Sequence, residues 1–320
     1  MTYSSGNTII DDDYNLFAHG STTGTPNTGI DSVNRVFGTD NVDNYGYGQT
    51  DIDPVNVGTT ISATQWATLL TKMTSAANHS GTSITAISNP SAGATISAYA
   101  ALSANITAIN GSPARLNAHG NGADSTSTTV TTGSWAGSAS QAKTFTWSSD
   151  NAMRYFFNAG GMLRLSWSRS GGTASSQNTA WSNLLTASGT IIITGSAASK
   201  TIAAVSYTGI TKIGGSGTPS ALLTGTGVLD AVGTVTIFSQ VDTTASYTSN
   251  TIAVTMNVGT GTISIGTTLT DPYSSGAPVP GPDAINGTLT QTNTIRYPST
   301  TYLADTWGTV TVNSPTWALA

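Results

Sequence analysis

Apolar positions along this chain fall into three regimes. Over residues 1–60 they come in short groups, such as Leu16 with Phe17 or Val33 with Val36 and Phe37, and Gly, Asn, Asp, Thr and Pro interrupt every few positions. Neither a period of two nor one of 3.6 runs through them, so 1–60 reads as an extended arm that docks on something else. Over 61–112 the period is helical. Ser62 and Gln65 make an S-x-x-Q capping box. Trp66, Leu69, Leu70, Met73 and Ala77 then share one face, and Gly81 offers a stop. Ile96, Tyr99, Leu102, Ile106 and Ile109 repeat at three- and four-residue steps before Gly111 and Pro113. These patterns predict a helical hairpin or short bundle.

Over 113–144 the apolar signal fades into Ser, Thr, Gly, Asn and Ala, which predicts a linker or long loop. From 145 to 320 short β-type runs follow one another. They include Phe145–Trp147, the compact Tyr155–Phe157, Leu163–Trp167, Ile191–Ile193, Val235–Ile237, Ile252–Val258, Ile263–Ile265 and Thr309–Val312. Ile252–Val258 alternates strictly, as a strand with one buried face does. Turn clusters divide the runs at intervals that suit antiparallel pairing. A short helix is predicted over 177–187, with Trp181, Leu184 and Leu185 on its apolar side, and the Pro/Gly-rich 272–282 reads as a turn. The expected fold is mainly β: an extended N-terminal arm and short helical region, then an antiparallel β-sandwich or barrel-like region over 145–320.

Composition sharpens this picture. All 15 acidic residues are Asp, with no Glu and no Cys among 320 residues, and there are three His and ten Lys plus Arg. Enzymes draw proton donors, bases and nucleophiles mostly from His, Glu, Cys and Lys, so the expectation is no catalysis and no cofactor. A net charge of −5 gives no footprint for nucleic acid, and no apolar run approaches a membrane span. The N-terminus lacks the basic start and apolar core of a secretory signal. Charged residues are 8% of the chain, against about 25% in ordinary domains. So weakly charged a surface is poorly protected against association, which points to burial in an assembly.

Candidate chemistry is sparse. Asp11-Asp12-Asp13 lacks the spaced ligands of a calcium loop and reads as a solvated turn. His19, His79 and His119 have no metal-ligand spacing. No nucleophile elbow or phosphate loop is present. Arg154, Arg164 and Arg169 lie among aromatics, where they stack on rings and cap strand ends, or alternatively form a patch for carbohydrate or phosphate. The residues expected to dock are Phe17, Phe37, Tyr45, Tyr47 and Gln49 of the arm with Trp66 and Leu69 of the first helix. The two helix faces are expected to pair or to meet symmetry mates, giving a homotrimer or other symmetric oligomer.

Two segments resemble a known class. The first joins Asp13-Tyr14-Asn15, Val33-Asn34-Arg35-Val36-Phe37-Gly38, Tyr45-Gly46-Tyr47-Gly48-Gln49-Thr50, Val57-Gly58-Thr59-Thr60-Ile61 and Gln65-Trp66 with Leu69. It is similar to the N-terminal pattern of virion structural proteins of tailed bacteriophages, especially those infecting cyanobacteria and marine bacteria. The second runs from Arg154 to Gly161, through Leu163–Ser166 and Ser168–Gly172, to Gln177–Trp181, and resembles a segment of the same class. The resemblance implies a non-enzymatic virion component of tail, baseplate, neck or fibre, made in the host cytoplasm, with itself and other virion proteins as partners. Two other readings stand beside it. One is a glycan- or receptor-binding module, with Trp135, Trp307 and Trp317 exposed to a host surface glycan. The other is a polysaccharide-degrading tail enzyme built on paired Asp carboxylates.

Overall fold

The computed structural model describes residues 10–25, 29–39, 44–89, 98–111, 122–197, 200–202, 205–244, 246–273 and 284–320. The chain divides into two units, each assembled from three separate stretches. The first comprises Met1–Ala123, Asn151–Gly161 and Pro298–Gly308, and the second Asp124–Asp150, Met162–Tyr297 and Thr309–Ala320.

The first unit is helical. Its elements are α1 (Asp11–His19), α2 (Val33–Phe37), α3 (Ala63–Ser80), α4 (Tyr99–Asn110) and most of α5 (Asp150–Asn158). The Asp11–Asp13 run, expected as a turn, starts α1, where three carboxylates meet the positive end of the helix. In α3 the capping box forms as read: Ser62 Oγ accepts from Gln65 N at 3.2 Å, and Gln65 Oε1 accepts from Ser62 N at 2.8 Å. Gly81 closes that helix at φ 70°, in the left-handed region that glycine enters freely.

Between the helices run extended stretches with no sheet neighbour, so their peptide groups need other partners. Asparagines supply them. Asn15 of α1 accepts from Val55 N and donates to Val55 O, both at 2.8 Å. Asn34 of α2 does the same to Ile52, at 2.8 and 3.1 Å, and Asn105 of α4 to Thr85, at 2.8 Å each way. A side-chain amide carries the same donor and acceptor as a peptide, and here it stands in for a strand.

Segment 1–60 is therefore not an extended docking arm. Its described part folds on α3 and α4, with Tyr14, Phe17, Val36, Tyr47, Ile52 and Val55 buried in the same unit. The apolar faces of α3 and α4 pack on each other and on α2. Leu69 and Leu102 are both fully buried, so at those positions a symmetry mate finds no apolar side chain to cover.

The second unit is two antiparallel sheets face to face. The five-stranded sheet runs β1 (Asp124–Trp135), β12 (Ile285–Arg296), β3 (Met162–Ser170), β4 (Thr190–Ile193) and β7 (Ile210–Ile213). The other runs β13 (Thr311–Val312), β2 (Ser138–Thr146), β11 (Thr262–Thr270), β10 (Thr251–Gly259), β9 (Thr234–Val241) and β8 (Ala221–Leu222), and β14 (Ala318–Leu319) also pairs with β2. A small pair, β5 (Lys200–Ile202) with β6 (Val205–Tyr207), lies apart from both sheets. Helix α6 (Ser176–Ser188) packs on β3 and β12. Its Trp181 meets Trp135 of β1 edge-on, with 4.7 Å between ring centroids. Mainly β with a short helical region is thus the observed class.

Two expectations fail between residues 113 and 158. The linker expected over 113–144 is, from Asp124 on, the paired strands β1 and β2, while 112–121 lie outside the described residues. Most of the turn expected over 272–282 also lies outside them. The run Tyr155–Phe157, expected as a strand, belongs to helix α5. Consecutive aromatics favour strands in isolation, but a helix puts Arg154, Tyr155 and Asn158 on one face, and all three reach the same loop.

Candidate functional site

The two segments that carry the resemblance, within 13–69 and 154–181, lie far apart in sequence, yet the start of the second meets the first in the first unit. Arg154 Nη2 and Tyr155 Oη both donate to Thr39 O, at 3.0 and 3.2 Å. Asn158 Nδ2 donates to Asn44 O at 2.8 Å and Gly46 O at 3.0 Å. Gly48, at φ 76°, sits under the Tyr155 ring where a Cβ would collide, and Gly161 likewise faces Phe156. The Tyr-Gly-Tyr-Gly-Gln loop is bound on its other side by 298–308. Gln49 exchanges two hydrogen bonds with Ala304, at 2.9 and 3.0 Å, and Thr306 Oγ1 donates to Tyr47 O at 2.9 Å. His79 Nε2 donates to Ala159 O at 3.0 Å, and its ring lies edge-on to Tyr47. The conspicuous residues of both segments are joints.

The expected docking residues share this fate. Phe17, Phe37, Tyr47, Gln49, Trp66 and Leu69 are buried inside the first unit. Tyr45 is half-buried beneath the Arg35 guanidinium, 5.0 Å from its ring centroid. These side chains form a core and present no docking surface. Their groups were too short and irregular in sequence to show which neighbours they would find.

The other candidates also resolve into structure. Arg154 stacks on the Tyr155 ring at 4.7 Å in the first unit. In the second, Arg169 ties Asn178 O, Ser182 Oγ, Gly171 O and Asn286 O together. His19 is buried beside Asn34, and desolvation lowers its pKa. His119 lies outside the described residues. Trp135, Trp307 and Trp317, the rings that a sugar-facing module would expose, are all buried. Among the described residues, no group of three or more His, Cys, Asp or Glu is placed to hold a metal ion.

Sequence reasoning missed a buried polar seam between the two sheets. Gln291 Oε1 of β12 accepts from Trp167 Nε1 at 2.8 Å, from Thr267 Oγ1 at 2.9 Å and from Gln141 Nε2. Gln291 Nε2 donates to Asn293 Oδ1 at 2.8 Å. Beside it Lys143 of β2 is 2% exposed, and its Nζ donates to Thr129 Oγ1 at 3.2 Å. Burial pushes the lysine pKa down, and among the described residues no carboxylate opposes it. The seam is sealed and holds no acid, so it locks register between sheets.

What the second unit leaves open is an edge. Both ends of the six-strand path finish in two-residue strands, β13 and β8, and β7 is four residues long. Strand β1, by contrast, runs for twelve residues at the border of its sheet, and among the described residues no strand pairs with its outer side. Only its first residue, Asp124, is charged. Thr126 and Thr132 link to Thr294 and Thr288 through hydroxyls at 3.1 and 3.0 Å, and Val130 is 54% exposed. Trp317 Nε1 covers the Thr129 carbonyl at 3.4 Å. Soluble proteins usually blunt such edges with Lys, Pro, bulges or brevity. This one has a flat register of twelve uninterrupted pairs.

Comparisons with known proteins add no identity: no family model matches the chain, and no curated protein or solved structure matches it.

Proposed function

We propose that this protein is a non-enzymatic structural component of a phage virion, of its tail, baseplate, neck or attached fibres, and that it acts by association with copies of itself and with other virion proteins. The observation that carries the reading is the β1 border. Its backbone can add a strand from a neighbour, and no run of like charges repels one. The sequence resemblance supplies the kind of particle. Its two segments are used as internal joints, which suits a subunit valued for shape.

Cross-linking mass spectrometry on intact particles tests this directly. With a carboxylate-reactive reagent, the expected result is cross-links from the β1 peptide, through Asp124, to a second copy or to another tail protein. The isolated protein should associate at high concentration, as a trimer or other closed oligomer by sedimentation. Thr128→Lys with Val130→Lys should abolish that association without lowering Tm, since both side chains are exposed. A wild-type protein found outside particles, or association indifferent to both lysines, overturns the reading. Host polysaccharides should survive incubation uncut. Cleavage lost on one Asp→Asn change would establish an enzyme instead.

A further inference from the structure

Strand β1 leaves one long side open, and its residues specify the neighbour that fits there. Successive side chains alternate between faces, so Asp124, Thr126, Thr128, Val130, Thr132 and Ser134 share the outer face of the sheet, and all six are exposed. The charge of this row is confined to one end, at Asp124. Its apolar side chain, Val130, is 54% exposed near the middle. The other four are hydroxyls, which both give and accept hydrogen bonds and so match a row of their own kind.

A parallel neighbour of the same sequence would set Asp124 beside Asp124, one strand spacing of about 4.8 Å away, and like charges so placed repel. An antiparallel neighbour carries the two carboxylates to opposite ends. A twofold axis normal to the sheet keeps both outer rows on one side, so even-numbered residues meet even-numbered ones. Of the registers this permits, the one that sets Val130 opposite Val130 removes both exposed valines from water. It also pairs Thr128 with Thr132 and Thr126 with Ser134, and it holds the Asp124 carboxylates roughly 40 Å apart. The contact in the way, Trp317 Nε1 on Thr129 O, is 3.4 Å long, and a ladder N–H is the better donor for that carbonyl. Among the described residues the other ends of the two large sheets, β7, β8 and β13, are two to four residues long, too short to receive a twelve-residue strand. Pairing through β1 therefore closes at two copies rather than three.

We propose that two copies of this chain join antiparallel along β1, about a twofold axis at Val130, so that their five-stranded sheets become one continuous sheet. This rests on the proposed role of the β1 border in association.

The chain has no cysteine, so introduced ones report the register without competition. In the full-length protein Val130→Cys should yield a disulfide-linked dimer on mild oxidation, because facing residues of an antiparallel pair have Cα atoms about 4.5–5.5 Å apart, within disulfide reach. Thr126→Cys alone should stay unlinked, its two copies being roughly 27 Å apart, whereas a mixture of Thr126→Cys and Ser134→Cys should link. Adding Thr128→Lys with Thr132→Lys to Val130→Cys sets lysines opposite each other and should prevent the link. A Val130→Cys protein that stays unlinked overturns the proposal, and so does a link that survives the two lysines. Thr126→Cys linking as readily as Val130→Cys, the mark of parallel strands, overturns it too. Failure here is distinct from failure of the virion reading: wild-type protein that still sediments as an oligomer, or that is found in particles cross-linked to another tail protein, keeps that reading while pairing about Val130 falls.

Discussion

Asparagine 34 shows how single side chains hold this protein. Its amide pairs with both peptide groups of Ile52, which is itself 2% exposed. Asn34→Leu fits the space but strands a buried N–H and C=O, each costing about 1–3 kcal/mol. The expected outcome is a first unit weakened by roughly 2–5 kcal/mol, read as earlier urea unfolding and faster hydrogen exchange at the Ile52 amide. Lys143 argues the other way. It is a buried cation with no acidic partner among the described residues, and replacing a buried charge with an apolar group of similar length commonly stabilises. Lys143→Met should therefore raise Tm by a few degrees. The pH dependence gives a second check. Because the folded pKa is lowered, the unfolded chain binds more protons between that pKa and about 10.4. Wild-type stability should climb with pH across that window, and the Met variant should lose Lys143's share of the climb, leaving that of Lys72 and Lys212.

Elements differ in how plainly the sequence announced them. Helix α3 was legible because its capping box and apolar face agree, and β10 because Ile252, Val254 and Met256 all face inward. Strands β1, β2 and β12 were not. Their inward positions include polar Thr129, Gln141, Lys143, Gln291 and Asn293 among the apolar ones, so the period of two is broken in hydropathy. The same polar positions make the seam, so the candidate chemistry and the hidden strands were missed for one reason. The β1 border itself was invisible because being an edge is a property of pairing. One of its features is pH-sensitive. Asp124 binds Arg296 of β12 through both carboxylate oxygens at 2.7 Å, and that hydrogen bonding holds its pKa below the usual carboxylate value. A depressed acid contributes stability above its unfolded pKa, about 3.9, and loses it as pH falls through the folded value. Below about pH 4 the amides of Ser125–Ser127 should exchange faster while those of β10 stay protected. The effect will be small, since the pair is partly exposed.

The whole molecule is laced together by its chain path. The backbone passes between the units after residues 123, 150, 161, 297 and 308. A fragment 1–123 therefore lacks Phe156, Phe157, Leu303 and Trp307, all buried in the first unit. It also lacks Ala304 and Tyr302, whose backbones serve Gln49 and Ser75. It should show no cooperative thermal transition by circular dichroism, although four of its own helices are present in sequence. Strand β1 is spelled out by residue 135, but its ladder partner among the described residues, β12, ends at residue 296. During synthesis this border therefore cannot form until β12 has been made, some 150 residues after β1 itself. A chain cut short before β12 would never display the strand that the proposed function gives to association, so the topology would act as a quality gate on that role.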